Sequence, residues 1–123
     1  MRIATIACLV TFAAATAGCG ASFLPPNDEW AAAQADLGRA EAGGAPGVPN
    51  ARLHLELARE DLTKSKALID HDNQRAADLI AVAKVEAQLA LSLAKQQIAQ
   101  DQAQKAQDDL AKAKAGAGAG GGQ

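Results

Sequence analysis

Aromatic residues are almost absent from this sequence, which has two Phe, one Trp and no Tyr among its 123 residues. β-Sandwiches and β-barrels need β-branched and aromatic side chains, so the composition excludes them. Alanine, the strongest helix former, supplies 32 residues, and its small side chain builds only a thin core. The length allows one small domain at most. We therefore expect an all-α protein.

An excess of charge of one sign is also lacking, since twelve Lys and Arg residues are balanced by fourteen Asp and Glu residues. A nucleic-acid surface needs a basic patch, so we expect no nucleic-acid partner. The sequence offers no Ser/His/Asp arrangement, no phosphate-binding glycine loop and no acid/base pair in an apolar setting. We therefore expect no enzyme activity, no small-molecule substrate and no cofactor.

Histidine is limited to His54 and His71, neither of which has a neighbouring His or Cys. Asp70 and Asp72 bracket His71 and could bind a metal weakly. A transition-metal site needs several converging ligands, and a polar turn between helices explains these three residues better. We expect no metal site.

The first 18 residues have the features of a secretory signal peptide. One positive charge precedes fifteen uncharged residues, 3–17, which are too few to span a bilayer as a helix. The exit Ala17-Gly18-Cys19 resembles a bacterial lipobox, although Thr16 stands where that pattern usually has leucine. The resemblance implies that Cys19 is acylated, for example with palmitate, and attaches the mature chain to a membrane.

A second processing route stays open, because residues 15–17 also fit the A-x-A site of an ordinary signal peptidase. That cut would release a soluble periplasmic helical binding protein with a free Cys19. Cys8 leaves with the signal peptide, so Cys19 would be the only cysteine of the exported chain. A lone exported thiol is explained by modification or by intermolecular pairing, which favours lipidation.

The residue after Cys19 indicates which membrane carries the anchor. In similar lipoproteins an aspartate there commonly retains the protein at the inner membrane, whereas this chain has Gly20. We therefore expect a lipid anchor in the outer membrane, with the rest of the chain facing the periplasm.

Residues 19–27 form the predicted lipidated linker, 28–94 a helical hairpin or bundle, 95–115 a distal helix rich in Gln and Ala, and 116–123 a flexible Gly/Ala tail. Asn27 is the candidate N-cap of the first helix, which should end near Ala42 before a break at 43–49. Asn50 is the candidate cap of the second helix. A polar turn at 70–73 should reverse the chain into a third helix, which runs from Gln74 to about Ala115.

Apolar residues at alternating spacings of three and four predict how these helices pack. The second helix carries one seam, formed by Ala51, Leu55, Ala58, Leu62, Ser65 and Ile69. The third carries two, formed by Ala76, Ile80, Ala83, Ala87, Ala90 and Ala94, and on its other side by Val82, Val85, Leu89 and Ser92. A helix with two apolar sides is expected to lie between partners. The sequence thus predicts an antiparallel hairpin or a small three-helix bundle with a long C-terminal coiled-coil-like helix.

The distal helix carries a stripe of its own, formed by Ala99, Ala103, Ala106, Leu110 and Ala113. Because the chain reverses at 70–73, the second helix is too short to reach this stripe. Its regular spacing predicts an interaction seam between chains, with a second copy or another envelope protein as the partner. The alternative is a lone charged helix, held by helix propensity and by ion pairs such as Asp101–Lys105 and Asp108–Lys112.

The segment from Trp30 to Lys95 resembles the bacterial domain of unknown function 4398 family of small helical lipoproteins. The resemblance lies in the break at 43–49, the run 51–62, the polar turn, the run 75–83, and Ala87, Leu89, Ala90, Leu91 and Ala94. It implies an envelope lipoprotein with a helical hairpin and no assigned activity. Some relatives carry an OmpA-like wall-binding domain after the helices, where this chain has only the distal helix and the tail.

Overall fold

The computed structural model describes residues 23–119, and this part of the chain is helical almost throughout. Its elements are α1 (Asn27–Ala42), a short 3-10 turn (Ala45–Gly47), α2 (Pro49–Leu68) and α3 (Asn73–Ala119). The prediction of an all-α fold with a small three-helix bundle and a long C-terminal helix is confirmed. The predicted signal peptide, Cys19, most of the predicted linker and residues 120–123 lie outside the described residues.

The first helix begins one residue earlier than the sequence suggested. Asn27, the candidate N-cap, is already helical, and Pro26 takes the cap position without any side-chain hydrogen bond. The backbone N–H of Trp30 donates to the Pro26 carbonyl at 3.0 Å, so the backbone itself closes the first turn. Asp28 and Glu29 lie in this turn, where carboxylates interact favourably with the positive end of the helix dipole.

The connection from α1 to α2 depends on Gly44 and Pro49. Gly44 has a φ of +91°, a left-handed conformation that glycine adopts without steric cost. Val48 is extended because the proline that follows it disfavours the helical conformation at that position. α2 then starts at Pro49, whose missing N–H is not needed in a first turn. The prediction that Asn50 caps α2 is therefore wrong, and Val48 takes that position.

Polar side chains close the turn between α2 and α3, where a polar turn was predicted. Asp70 has a φ of 71°, and its N–H donates to Asn73 Oδ1 at 2.8 Å. Asp72 Oδ1 accepts a hydrogen bond from the Arg75 N–H at 3.1 Å, which caps the first turn of α3. The chain therefore reverses within four residues, and α3 returns antiparallel along α2.

The core forms along the two central seams that the sequence predicted. All of their members are buried: Ala51, Leu55, Ala58, Leu62 and Ser65 in α2 with Ile69 directly after it, and Ala76, Ile80, Ala83, Ala87, Ala90 and Ala94 in α3. α1 packs against both, with Trp30 near Ile80 and Ala40 near Ala90. α1 therefore runs parallel to α3, and the three helices alternate up, down and up.

The prediction that α3 lies between partners on two sides is wrong within the bundle. Val82, Val85 and Leu89 are 47%, 63% and 39% exposed, and Ser92 is exposed as well. The small side chains of the alanine seam leave room for α1 and α2 on the same side of α3. The opposite side of α3 is consequently open.

The distal half of α3 extends beyond the other two helices. Every side chain from residue 95 to 117 is exposed, and the helix continues to Ala119, four residues past its predicted end near Ala115. Helical glycines at 116 and 118 each cost about 1 kcal/mol relative to alanine, which a long helix tolerates near its end. The start of α2 reaches only its first residues, where Asn50 lines a pocket with Gln96, Gln97 and Gln100.

Shortening Leu62 tests the core between α2 and α3. We expect Leu62→Ala to lower the free energy of unfolding by about 2 kcal/mol, the lower end for a buried leucine, because the facing seam is mostly alanine. Leu53→Ala on the same helix is the matched control, since Leu53 is 59% exposed, and should change stability by under about 0.5 kcal/mol. Urea unfolding followed by circular dichroism measures both, and equal midpoints would contradict the assignment.

A pair of glycines tests the close contact between the end of α1 and α3. A Cβ at Gly43 would lie 2.3 Å from Leu91 Cδ1 and 3.0 Å from the Arg39 carbonyl, whereas one at Gly38 would meet nothing within 4 Å. We expect Gly43→Ala to destabilise the protein and Gly38→Ala to stabilise it by about 0.5–1 kcal/mol through helix propensity. Thermal melts of both variants give the sign, and a stabilising Gly43→Ala would refute this contact.

Candidate functional site

The predicted interaction seam lies wholly on the projecting part of α3. Its members, Ala99, Ala103, Ala106, Leu110 and Ala113, are all exposed, and Leu110 retains 55% of its accessible surface. The spacing places them on one face of a straight helix. Within residues 23–119 no other helix reaches them, so the binding of a partner there stays a prediction.

On the solvent-exposed face of this projecting helix, glutamines rather than lysines bind the aspartates through hydrogen bonds. Gln97 Nε2 donates to Asp101 at 2.9 Å, and Gln104 Nε2 donates to Asp108 at 3.0 Å. Both are contacts across one helical turn, and they replace the ion pairs that the sequence suggested to lysines one turn later. Such exposed contacts stabilise a helix by a few tenths of a kcal/mol each, so they support the helix and leave the seam free.

An open groove lies between α1 and α2. It encloses about 570 Å³ and is lined by Trp30, Gln34, Leu37, Arg59, Leu62, Thr63, Lys66 and Ala67. The indole Nε1–H donates to the Leu62 carbonyl at 3.2 Å, which fixes the edge of the ring against α2. The sequence did not indicate this groove, because it exists only where α1 and α2 lie side by side.

Two cations border the groove in different ways. The guanidinium of Arg59 donates to Glu41 at 2.7 Å and to Glu56 at 2.6 Å. The hydrogen bond with Glu41 is the main factor that raises the pKa of Arg59 above its ordinary value. The ammonium of Lys66 lies 4.7 Å from the centroid of the Trp30 ring, which is a cation–π contact. The two carboxylates therefore balance the charge of Arg59, whereas Lys66 places a positive charge next to the Trp30 ring that lines the groove.

Two polar contacts hold the helices of the bundle in register. Asp36 is only 6% exposed; its carboxylate pairs with Arg39 and accepts a hydrogen bond from Gln88 Nε2 at 3.4 Å. His54 Nδ1 lies 2.6 Å from Glu86 Oε2 and links α2 to α3. The sequence suggested no partner for this histidine, because the antiparallel pairing that brings Glu86 to it is a tertiary property.

Metal ligands do not converge anywhere in the described part of the chain. Residues 23–119 contain no group of three His, Cys, Asp or Glu side chains that could hold a metal ion. His54 meets a single carboxylate, and His71 lies in the turn before α3 with an exposed side chain.

Over residues 23–119, none of the helices combines the length and the hydrophobicity that crossing a bilayer would require.

Comparison with known protein families identifies the family of this chain. A family model described as Domain of unknown function (DUF4398) matches residues 28–106, which is more than half of the chain. The matched segment contains the bundle and the first half of the projecting helix, so the predicted resemblance is confirmed and extends past Lys95. No curated protein matches the chain, and no solved structure matches it either.

Trp30 makes the groove directly observable, because it is the only tryptophan and the chain has no tyrosine. Lys66→Gln should lower the quenching constant of iodide for Trp30 emission by about a factor of two, since the ammonium draws the anion toward the ring. Quenching by neutral acrylamide should stay unchanged. Lys105→Gln on the projecting helix is the control and should affect neither quencher. An equal change for iodide and acrylamide with Lys66→Gln would indicate altered access rather than lost charge.

Proposed function

We propose that this chain, which belongs to the DUF4398 family, is a lipid-anchored lipoprotein of the bacterial cell envelope. Cys19 carries the lipid, the anchor lies in the outer membrane, and the helices face the periplasm. The helical body acts as a structural or protein-interaction module, without a metal or cofactor and without enzyme activity. Its partner is a second copy of the chain or another envelope protein.

The exit of the predicted signal peptide is the observation that carries this proposal. Fifteen uncharged residues lead to Ala17-Gly18-Cys19, where small residues precede a cysteine as in a lipobox. Acylation also accounts for a cysteine that would otherwise be the lone thiol of an exported chain. The A-x-A site at 15–17 supports the second candidate, a soluble periplasmic helical protein.

The beginning of the described chain supports an anchor at one end of the bundle. The Phe23 carbonyl accepts a hydrogen bond from Asn73 Nδ2 at 2.8 Å, which ties the segment before α1 to the turn between α2 and α3. Cys19 precedes Phe23 by four residues, a reach of at most about 14 Å. Phe23 and Leu24 are 49% and 86% exposed. Such apolar side chains suit the end of a protein that lies next to a lipid surface.

The long axis of α3 supports the role of an interaction module. α3 starts at that same end and contains 47 residues, so its tip lies about 70 Å away. The exposed seam from Ala99 to Ala113 occupies the distal part of this length. An anchored chain would therefore present the seam well away from the membrane, where other envelope components are within reach.

The buried carboxylate of Asp36 and the imidazole of His54 support a role other than catalysis. Asp36 is the one buried charged residue of the described part of the chain, and Arg39 and Gln88 already bind its carboxylate. His54 is bound to Glu86, and neither of these two lines the groove at Trp30. General acid–base catalysis needs a titratable group within reach of a bound substrate, and neither pair offers one.

Mass spectrometry of the exported protein tests the anchor. We expect the mature N-terminus to be Cys19 carrying acyl groups, and the protein to partition into the detergent phase. Cys19→Ser should move it to the aqueous phase, because the acyl chains supply most of the membrane affinity.

Cys8→Ser is the matched control, since Cys8 lies within the predicted signal peptide. It should leave both the acylation and the partition unchanged. A mature N-terminus at Gly18 with a free Cys19 thiol would reject the lipid anchor and establish the soluble periplasmic protein instead.

A further inference from the structure

The open side of α3 and the distal seam are one continuous surface. Val82, Val85 and Leu89, which the bundle leaves exposed, continue in unbroken spacings of three and four into the seam on the projecting helix. The full series is Val82, Val85, Leu89, Ser92, Gln96, Ala99, Ala103, Ala106, Leu110 and Ala113. All ten side chains are exposed. We call this series the α3 seam.

We propose that the α3 seam binds the α3 seam of a second copy of this chain, and that the two α3 helices form a parallel, in-register coiled coil. This inference rests on the interaction role in the proposed function and names its partner. It also extends the interaction surface back into the bundle, as far as Val82.

The period and length of the α3 seam favour a coiled coil. Its ten positions alternate by three and four residues over 32 residues, or more than four heptads, whereas three to four heptads are the usual minimum. A repeat of 3.5 residues drifts slowly around a straight helix of 3.6 residues per turn. Only a partner helix that supercoils with α3 can stay on such a stripe along its whole length, about 47 Å.

The bundle leaves this side of α3 accessible to a partner. α1 and α2 cover the alanine seam, whose members such as Ala83 and Ala90 are completely buried, and the α3 seam lies on the opposite side. Val85, in the centre of the bundle segment, is 63% exposed. Two chains can therefore bring their α3 helices together with both bundles facing outward.

The polar positions of the α3 seam favour a parallel pair of identical helices. In that arrangement Ser92 and Gln96 each meet their own counterpart, and two glutamine side chains can hydrogen-bond to each other. In an antiparallel pair centred on the same seam, Gln96 would lie opposite Ala99 and its amide would lack a partner. A polar residue in a seam thus selects the arrangement that satisfies it.

Charges beside the α3 seam are compatible with the same pairing. In a parallel coiled coil a residue that flanks the seam faces the residue five positions later on the partner helix. Asp109 of one chain then faces Lys114 of the other, and by symmetry this attraction occurs twice. The corresponding pair of Lys95 and Gln100 contains only one charged side chain, so it introduces no repulsion between the chains. A common membrane anchor at the same end of each chain would also favour parallel neighbours by raising their effective concentration.

Disulfide formation between introduced cysteines tests this arrangement in the full-length chain, produced in a bacterium and oxidised in intact cells. We expect Ala106→Cys, within the α3 seam, to give a disulfide-linked dimer on a non-reducing gel. Ala111→Cys is the matched control, because it is an exposed alanine of the same helix outside the seam, and it should give at least about tenfold less dimer, equivalent to 1.4 kcal/mol. The unsubstituted chain gives the background from its own cysteines.

Charge substitution tests whether the seam extends into the bundle. Val85→Asp in the Ala106→Cys chain should lower the dimer yield about tenfold, because a carboxylate would be buried between the helices. Val85 is largely exposed in the single chain, so its fold should persist, and circular dichroism checks this. Thr63→Asp, which places the same charge on α2 beside the Trp30 groove, should leave the yield unchanged.

Each contrary result has a distinct meaning. Equal yields for Ala106→Cys and Ala111→Cys, or no dimer from either, would overturn self-association through the α3 seam. A disulfide that forms only between Leu89→Cys and Ala106→Cys chains would overturn the parallel arrangement in favour of an antiparallel one. The same comparisons made with Cys19→Ser chains separate these results from lipidation, because a failed anchor alters partition while seam pairing alters the disulfide.

Discussion

Close approach of helices through alanine is the constraint on which this structure depends. Within the described residues, ten of the fourteen buried apolar side chains are alanine, and the largest completely buried ones include only Leu55 and Ile80. Alanine brings helix backbones near each other but buries little area, and burial contributes about 25 cal/mol per Å². Stability must therefore accumulate along the length of the helices. Gly43 shows the same close approach, because the absence of a side chain there lets Leu91 pack against the end of α1.

The same small side chains determine which surfaces remain open. Because alanine occupies little width, α1 and α2 share one side of α3 and leave the side with Val82, Val85 and Leu89 uncovered. A core of larger residues would have spread the two helices apart around α3. The exposed surface of the bundle is thus a direct consequence of how its interior is built, and it is continuous with the stripe on the projecting helix.

Hydrophobic spacing was sufficient to predict the fold and the buried seams, because Leu55, Leu62 and Ile80 lie at the positions where a helix must bury a side chain. It could not predict how many helices share one face, so the side of α3 that carries Val85 was expected to be covered. The caps at Pro26 and Val48 escaped prediction because backbone geometry around proline outweighed the capping preference of asparagine. The Trp30 groove and the buried Asp36 depend on neighbours from other helices, which no local pattern contains.

The position of Phe23 has a mechanical consequence. Its hydrogen bond to Asn73 places the beginning of the described chain at the same end of the bundle as the start of α3, while the tip of α3 lies at the far end. A pulling force applied between these two points acts along the parallel axes of α1 and α3. Such a force would shear the contacts between the two helices all at once instead of peeling them apart one by one. The resistance to it is set by the barrier to unfolding along this direction. A thin alanine interface is thus arranged in the direction in which it resists tension best.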